Sequence, residues 1–150
     1  MTSKVIKIVI EDQEILIDKK DLKNLDVSIM AINSGGYADY GKEKLHRVIM
    51  NAPDGVDVDH KNRNKLDNRR CNLRLCTPSE NLMNRPKTTA NTSGFKGVTF
   101  HNKSGKFRAE ITAHKKRYHL GYFDTAEEAS AAYLKAAKKY HGKFMYKEGA

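Results

Sequence analysis

Asp59 and His60 adjoin one another, and Asn81 follows 21 residues after the histidine. Hydrolysing a phosphodiester near neutral pH requires a base for the water, a cation against the developing charge and stabilisation of the departing 3′ oxygen; a histidine and one divalent ion suffice. The flanking sequence supplies elements that could position these groups. Val56 and Val58 lead as a strand into Asp59 and His60, and a polar loop from Lys61 to Arg70 returns to a second strand, Leu73 to Cys76. Thr77, Pro78 and Glu80 then give a capping residue, a proline in the first helical position and an acid three residues after the cap, so a helix carrying Asn81 in its first turn begins here. Pro86 is expected to end it after about two turns. A strand, strand, helix unit of this length can return the helix start to the first strand.

An isolated Asp-His pair is weak evidence, because most such pairs are surface polar residues. Together with an Asn-rich loop, Asn72-Leu73-Arg74 and a capped helix bearing an asparagine, it becomes specific. Asn62, Asn64 and Asn68 are read as turn chemistry. His46 is read as a residue that orients the hairpin rather than one that touches a ligand.

Leu45-His46-Arg47, Val58-Asp59-His60, Asn68-Arg69, Asn72-Leu73-Arg74 and Ser79-Glu80-Asn81, in this order, resemble the HNH or ββα-metal endonucleases, above all the small homing-type enzymes of phages. The resemblance implies that His60 is the general base and that Asp59 and Asn81 bind one divalent ion, Mg²⁺ or alternatively Mn²⁺. Asn84, one helical turn further on the same face, is the alternative ligand. Asn72 would brace the hairpin loop, and the products would carry 5′-phosphate and 3′-hydroxyl ends.

A second unit begins near Ser93. Val98 to His101, Lys106 to Ala113 and Arg117 to Tyr122 read as three strands of a meander. Thr125 and Glu128 form a capping box, and Ala129, Ala132, Tyr133, Ala136, Ala137 and Tyr140 recur at intervals of 3 and 4 along one helix face. Ser93-Gly94-Phe95-Lys96-Gly97-Val98, Gly105 to Ile111 and Leu120 to Ala129 resemble the plant Apetala-two or ethylene-response-factor DNA-binding domain. Strand alternation turns Phe107, Ala109 and Ile111 toward the helix. The other face, with Lys96, Thr99, His101, Arg108, Glu110, Thr112, Arg117 and His119, is expected to bind DNA. Thr99 and His119 replace an arginine and a tryptophan expected in the plant domain, so its target preference does not carry over.

Charge agrees with a polyanionic partner. The 150 residues carry 28 Lys and Arg against 18 Asp and Glu, a net charge of +10. Residues 1 to 60 hold 8 basic and 11 acidic side chains, whereas residues 61 to 121 hold 15 basic and 3 acidic, so the positive field coincides with the motifs. That basic stretch shows turns and strand alternation instead of an amphipathic helix, which favours nucleic acid over a membrane. Met1 to Glu14 alternates charges with short apolar runs and contains no continuous apolar core, so neither a signal peptide nor a spanning helix is expected, and a cytoplasmic location in the bacterial host cell of a phage is expected. Cys71 and Cys76 are too few for a zinc ribbon and are read as packed thiols.

The expected architecture is α+β: a ββα-metal HNH nuclease module followed by a three-stranded antiparallel sheet packed on one α-helix. The expected boundaries are 1–86 for the nuclease domain (β-rich 1–44, motif 45–86), 87–92 for a linker and 93–150 for the Apetala-two-like domain. In the N-terminal part, Val5 to Ile10 with Glu14 to Ile17, and Val27 to Ile32 with Tyr37 to Tyr40, read as two strand pairs, and Leu45 to Met50 as a short helix or strand. The expected function is a metal-dependent DNA endonuclease acting as a monomer on double-stranded DNA, with no obligate protein partner. The alternative is a DNA-binding regulator with a decayed HNH fold.

Overall fold

Glu11 and Asp12 both take left-handed backbone angles, φ 50° and 60°, and so close a two-residue turn between β1 (Val5–Ile10) and β2 (Gln13–Asp18). The computed structural model describes residues 4–147. The chain divides into two compact units, one up to Pro78 and one from Ser79 onward.

In the first unit α1 (Lys19–Leu22) follows β2 directly. A short three-stranded antiparallel sheet is formed by β3 (Met30–Ile32), β4 (Ala38–Tyr40) and β5 (Glu43–Lys44). The strand expected from Val27 is shorter than its apolar pattern, because Asp26 caps a 3₁₀ turn over Val27–Ile29. Its Oδ1 accepts from the backbone N of Ser28 at 2.9 Å and from the Ser28 hydroxyl at 2.7 Å. Leu45–Met50 is a helix, α2, which buries Leu45, His46 and Ile49 and ends at Asn51 in the left-handed region, φ 47°.

β6 (Asp57–His60) and β7 (Leu73–Cys76) pair antiparallel, with Asp59 opposite Arg74 and His60 opposite Leu73. One apolar core joins all these pieces: Ile8, Ile15 and Ile17 pack with Met30, Ala38, Leu45, Ile49, Val58 and Leu73. The N-terminal hairpin is therefore part of the module that carries Asp59 and His60. Two residues after β7 the helix α3 (Pro78–Met83) begins. It ends three residues before Pro86.

The second unit is a three-stranded antiparallel sheet, β8 (Val98–His101), β9 (Lys106–Ala113) and β10 (Lys116–Phe123), with β9 central and α4 (Ala126–Tyr140) packed on one face. His114 and Lys115, at φ 49° and 65°, make the tight turn between β9 and β10. The capping box is complete: Thr125 Oγ1 accepts from Glu128 N, and Glu128 Oε2 accepts from Thr125 N, each at 3.2 Å. Ile111, Tyr133, Ala136 and Ala137 form one patch of the core, and Val98, Ala109 and Ala129 another. The small alanines let the helix approach the sheet closely, and burial raises the Tyr133 hydroxyl to about 12. Asn91 and Ser93 belong to this unit, since Asn91 Nδ2 donates to Phe95 O at 2.8 Å and the Ser93 hydroxyl to Val98 O at 2.8 Å.

The chain is thus an α+β protein of small antiparallel sheets and few helices. Among the described residues no helix is long and apolar enough to cross a membrane.

Candidate active site and nucleic-acid interface

The loop between β6 and β7 is basic and polar, yet it is held at many points. Asn62 Oδ1 accepts from Asn64 N at 2.9 Å and Asn64 Oδ1 from Leu66 N at 3.0 Å, two successive side-chain turns. Asn72 bridges the loop: its Oδ1 accepts from Asn62 N at 3.0 Å and its Nδ2 donates to Asp67 O at 2.8 Å. β2 then grips the loop from outside. Leu16 donates its N–H to Leu66 O and accepts from Asn68 N, at 2.9 and 2.8 Å, and Asp18 Oδ2 accepts from Arg70 N at 2.9 Å. Buried Asp67 pairs with Arg69, whose two contacts, with the bond from Asn62, hold its carboxyl below the ordinary value against the opposing effect of burial.

Asp59 and His60 lie buried at the end of β6. The Arg74 guanidinium, across the ladder, donates to Asp59 Oδ2 through Nε at 2.7 Å and through a terminal nitrogen at 2.5 Å. His60 Nε2 faces Asn68 Oδ1 at 3.4 Å, and Asn68 is fully buried. Asn68 therefore differs from Asn62 and Asn64: its side chain turns to the histidine rather than back to its own loop. Burial lowers the pKa of His60, while the Asn68 contact and the carboxylates of Asp59 and Asp67 oppose that shift, so the imidazole is neutral at neutral pH. The His46 ring stands edge-on to His60 with centroids 4.9 Å apart, and Tyr37 adjoins both, at 5.5 Å from His46 and 6.0 Å from His60. His46 is buried with its Nδ1 unbonded, and burial with the neighbouring His60 lowers its pKa to about 3.

Asn81 lies on α3, half-buried, and Asn84 just beyond the helix is buried. Among the described residues no three His, Cys, Asp or Glu side chains gather as a metal cluster.

In the second unit, register places the proposed DNA-binding residues. Thr99 opposes Arg108, His101 opposes Lys106, Arg117 opposes Thr112 and His119 opposes Glu110, so these side chains share the sheet face away from α4. Arg108 pairs with Glu110 at 3.2 Å. Strict alternation misses one member. A bulge between His119 and Gly121 shifts the register so that Tyr122 opposes Arg108 and joins the same face, half-exposed between His101 and His119, at 5.2 and 5.0 Å between ring centroids. The Leu120-Gly121 pair was the available signal, since a glycine inside a strand marks such a bulge. Lys96 is placed differently. It precedes β8, and its ammonium donates to the carbonyls of Met83 and Arg85, at 2.7 and 2.5 Å, where α3 ends.

Comparison with known proteins agrees with both halves. A family model described as HNH endonuclease matches residues 43–83, and one described as AP2 domain matches residues 93–143. The chain thus joins an HNH endonuclease segment to an AP2-like domain. It is 33% identical over 92 residues to Protein 3.8 of Escherichia phage T7, a match covering 61% of this chain and 75% of that protein. It is 31% identical over 112 residues to the Uncharacterized HNH endonuclease L560 of Acanthamoeba polyphaga mimivirus, covering 71% of this chain but only 57% of the relative's length. The chain is also 42% identical over 50 residues to the AP2-like ethylene-responsive transcription factor TOE2 of Arabidopsis thaliana, a match covering 33% of this chain and 10% of that protein. No solved structure matches the chain.

Proposed function

We propose that this protein is a metal-dependent, homing-type DNA endonuclease in which the HNH unit cuts and the AP2-like sheet holds double-stranded DNA. The observation that carries the reading is His60: a buried, neutral imidazole, next to a carboxylate and oriented by Asn68 and His46. A neutral histidine can take a proton from water, which a protonated one cannot. The Asn68 amide faces Nε2 at 3.4 Å and so fixes how the ring is turned.

Asp59 and Asn81 are the residues that would hold a divalent ion. One carboxylate and one amide oxygen form a hard donor set, which fits Mg²⁺ as an ion that keeps several waters and shares substrate phosphate. When bound, such an ion supplies positive charge against the phosphate and the departing oxygen. Arg74 fixes one oxygen of Asp59 and thereby the orientation of its carboxylate. His60 accepts the proton of the attacking water, while Asn72 and β2 keep the loop that carries Asn68 in place. Attack on phosphorus with departure of the 3′ oxygen leaves 5′-phosphate and 3′-hydroxyl ends.

Supercoiled plasmid incubated with the protein and Mg²⁺ should convert to nicked or linear forms, and EDTA should prevent it. DNA ligase should reseal the nicks without prior treatment by kinase or phosphatase. DNA shifting without any metal-dependent nicking would favour the regulator with a decayed nuclease fold.

A further inference from the structure

The Tyr37 ring gathers two ammonium groups from separate parts of the first unit. Lys44 Nζ, on β5, lies 4.4 Å from the ring centroid and Lys65 Nζ, in the loop after β6, lies 4.6 Å from it. The two charges are therefore no more than about 9 Å apart, since each lies within a cation–π distance of the same ring. Both lysines are exposed, and among the described residues neither forms an ion pair with a carboxylate. Asp39, the ladder partner of Lys44, accepts from Asn33 Nδ2 through Oδ1 at 2.8 Å. Lys65 is further fixed by donating to Gly35 O at 2.7 Å, with its stem along Gly36, where a Cβ would meet the lysine Cδ at 3.9 Å. Like charges repel, and packing on one ring alone leaves that repulsion unrelieved; an anion seated against both relieves it.

The same ring touches the catalytic histidine, with its centroid 6.0 Å from that of His60. Each ammonium therefore lies within about 11 Å of the His60 ring, roughly three nucleotide rises along a strand. We propose that Lys44 and Lys65, gathered on Tyr37, form a phosphate-binding site for the DNA strand beside His60. The N-terminal segment, through Tyr37 and Lys44, then supplies a substrate anchor to the cutting unit. This inference rests on the nuclease reading above for its choice of ligand, but its binding readout is independent of cutting.

The test uses the full chain and a short labelled DNA duplex in EDTA, with affinity followed by fluorescence anisotropy from 50 to 200 mM KCl. Each phosphate contact contributes a slope of about 0.9 in log affinity against log salt. Replacing both lysines, Lys44→Gln with Lys65→Gln, should lower the slope by nearly two, so that the wild-type affinity falls about ten-fold more than the variant's over that range. Lys44→Arg with Lys65→Arg should restore the wild-type slope, which a loss of folding could not explain. Nicking at subsaturating plasmid should fall in the glutamine variant, with little change at saturation. A lowered slope with no nicking by any form would support the phosphate site and overturn the nuclease reading. An unchanged slope in the glutamine variant would overturn the phosphate site itself, whatever the nicking result.

Discussion

The ring of His46 stands edge-on to that of His60, with centroids 4.9 Å apart and planes at 76°. His46 is buried, leaves Nδ1 without a hydrogen-bond partner and is held neutral down to about pH 3 by burial and by His60. Its side chain is thus a packing piece that sets the His60 ring in place, and its polar atom is a cost to folding. His46→Phe should keep the melting temperature at pH 7 or raise it, whereas His46→Ala should lose about 3 kcal/mol through the cavity it leaves. A thermal melt and a urea titration at pH 7 measure the two.

The lowered pKa of His46 also fixes a direction with pH. The unfolded chain takes up the proton near 6.5 and the folded chain only near 3, so stability is complete above 6.5 and is lost as pH falls below it. Wild-type unfolding free energy should fall by about 1 kcal/mol per pH unit from this residue alone between pH 6 and 4, and the His46→Phe variant should show a shallower slope. Equal slopes in the two proteins would show that His46 does not control the effect.

Arg74 and Asp59 form a pair that is mostly buried, with side chains 13% and 8% exposed. Removing the guanidinium takes a cation away from a mostly buried carboxylate. Arg74→Met should therefore destabilise the protein by about 3 kcal/mol, and adding Asp59→Leu should recover part of that loss. Chemical denaturation of the two variants checks the order.

Gly97 has a left-handed backbone, φ 73°, and an added Cβ would come within 2.3 Å of the Tyr133 ring and 2.6 Å of Glu110 O. Neither the ring, packed between helix and sheet, nor the central strand can retreat. Gly97→Ala should lower stability by about 3 kcal/mol or more and broaden the thermal transition followed by circular dichroism.

On the sheet face opposite α4, Arg117→Ala should weaken DNA binding and lower its salt slope by about one, as expected for a phosphate contact. Tyr122→Ala should weaken binding with no change in that slope, because a ring carries no charge to exchange for counterions. Anisotropy titrations at several salt concentrations separate the two effects.

How much of this was legible in the sequence depended on whether a feature was local. Alternation over β9, the capping box at Thr125 and Glu128, and the strands around Asp59 and His60 are periodic or contiguous, and each can be read from neighbouring residues. The contribution of residues before 45 was not legible, because it consists of contacts such as Leu16 with Leu66 and Asp18 with Arg70, which are about 50 residues apart. Asn68 resembled its neighbours Asn62 and Asn64 in type, and only the fold shows that it turns toward His60. Tyr122 was hidden by the bulge that breaks the period of two, and the role of Lys96 at the end of α3 by a partner that no motif announces.

The proposed role of His60, taking the proton in a metal-dependent cut, is open to direct test. Its most direct measurement is the single-turnover nicking rate of wild type and of His60→Ala on the same plasmid with Mg²⁺, beside a gel shift and a melting curve for each. The variant should lose at least about a hundred-fold in rate, the range for removing a general base, while it still folds and still shifts DNA. A folded variant that nicks as fast as the wild type would contradict it.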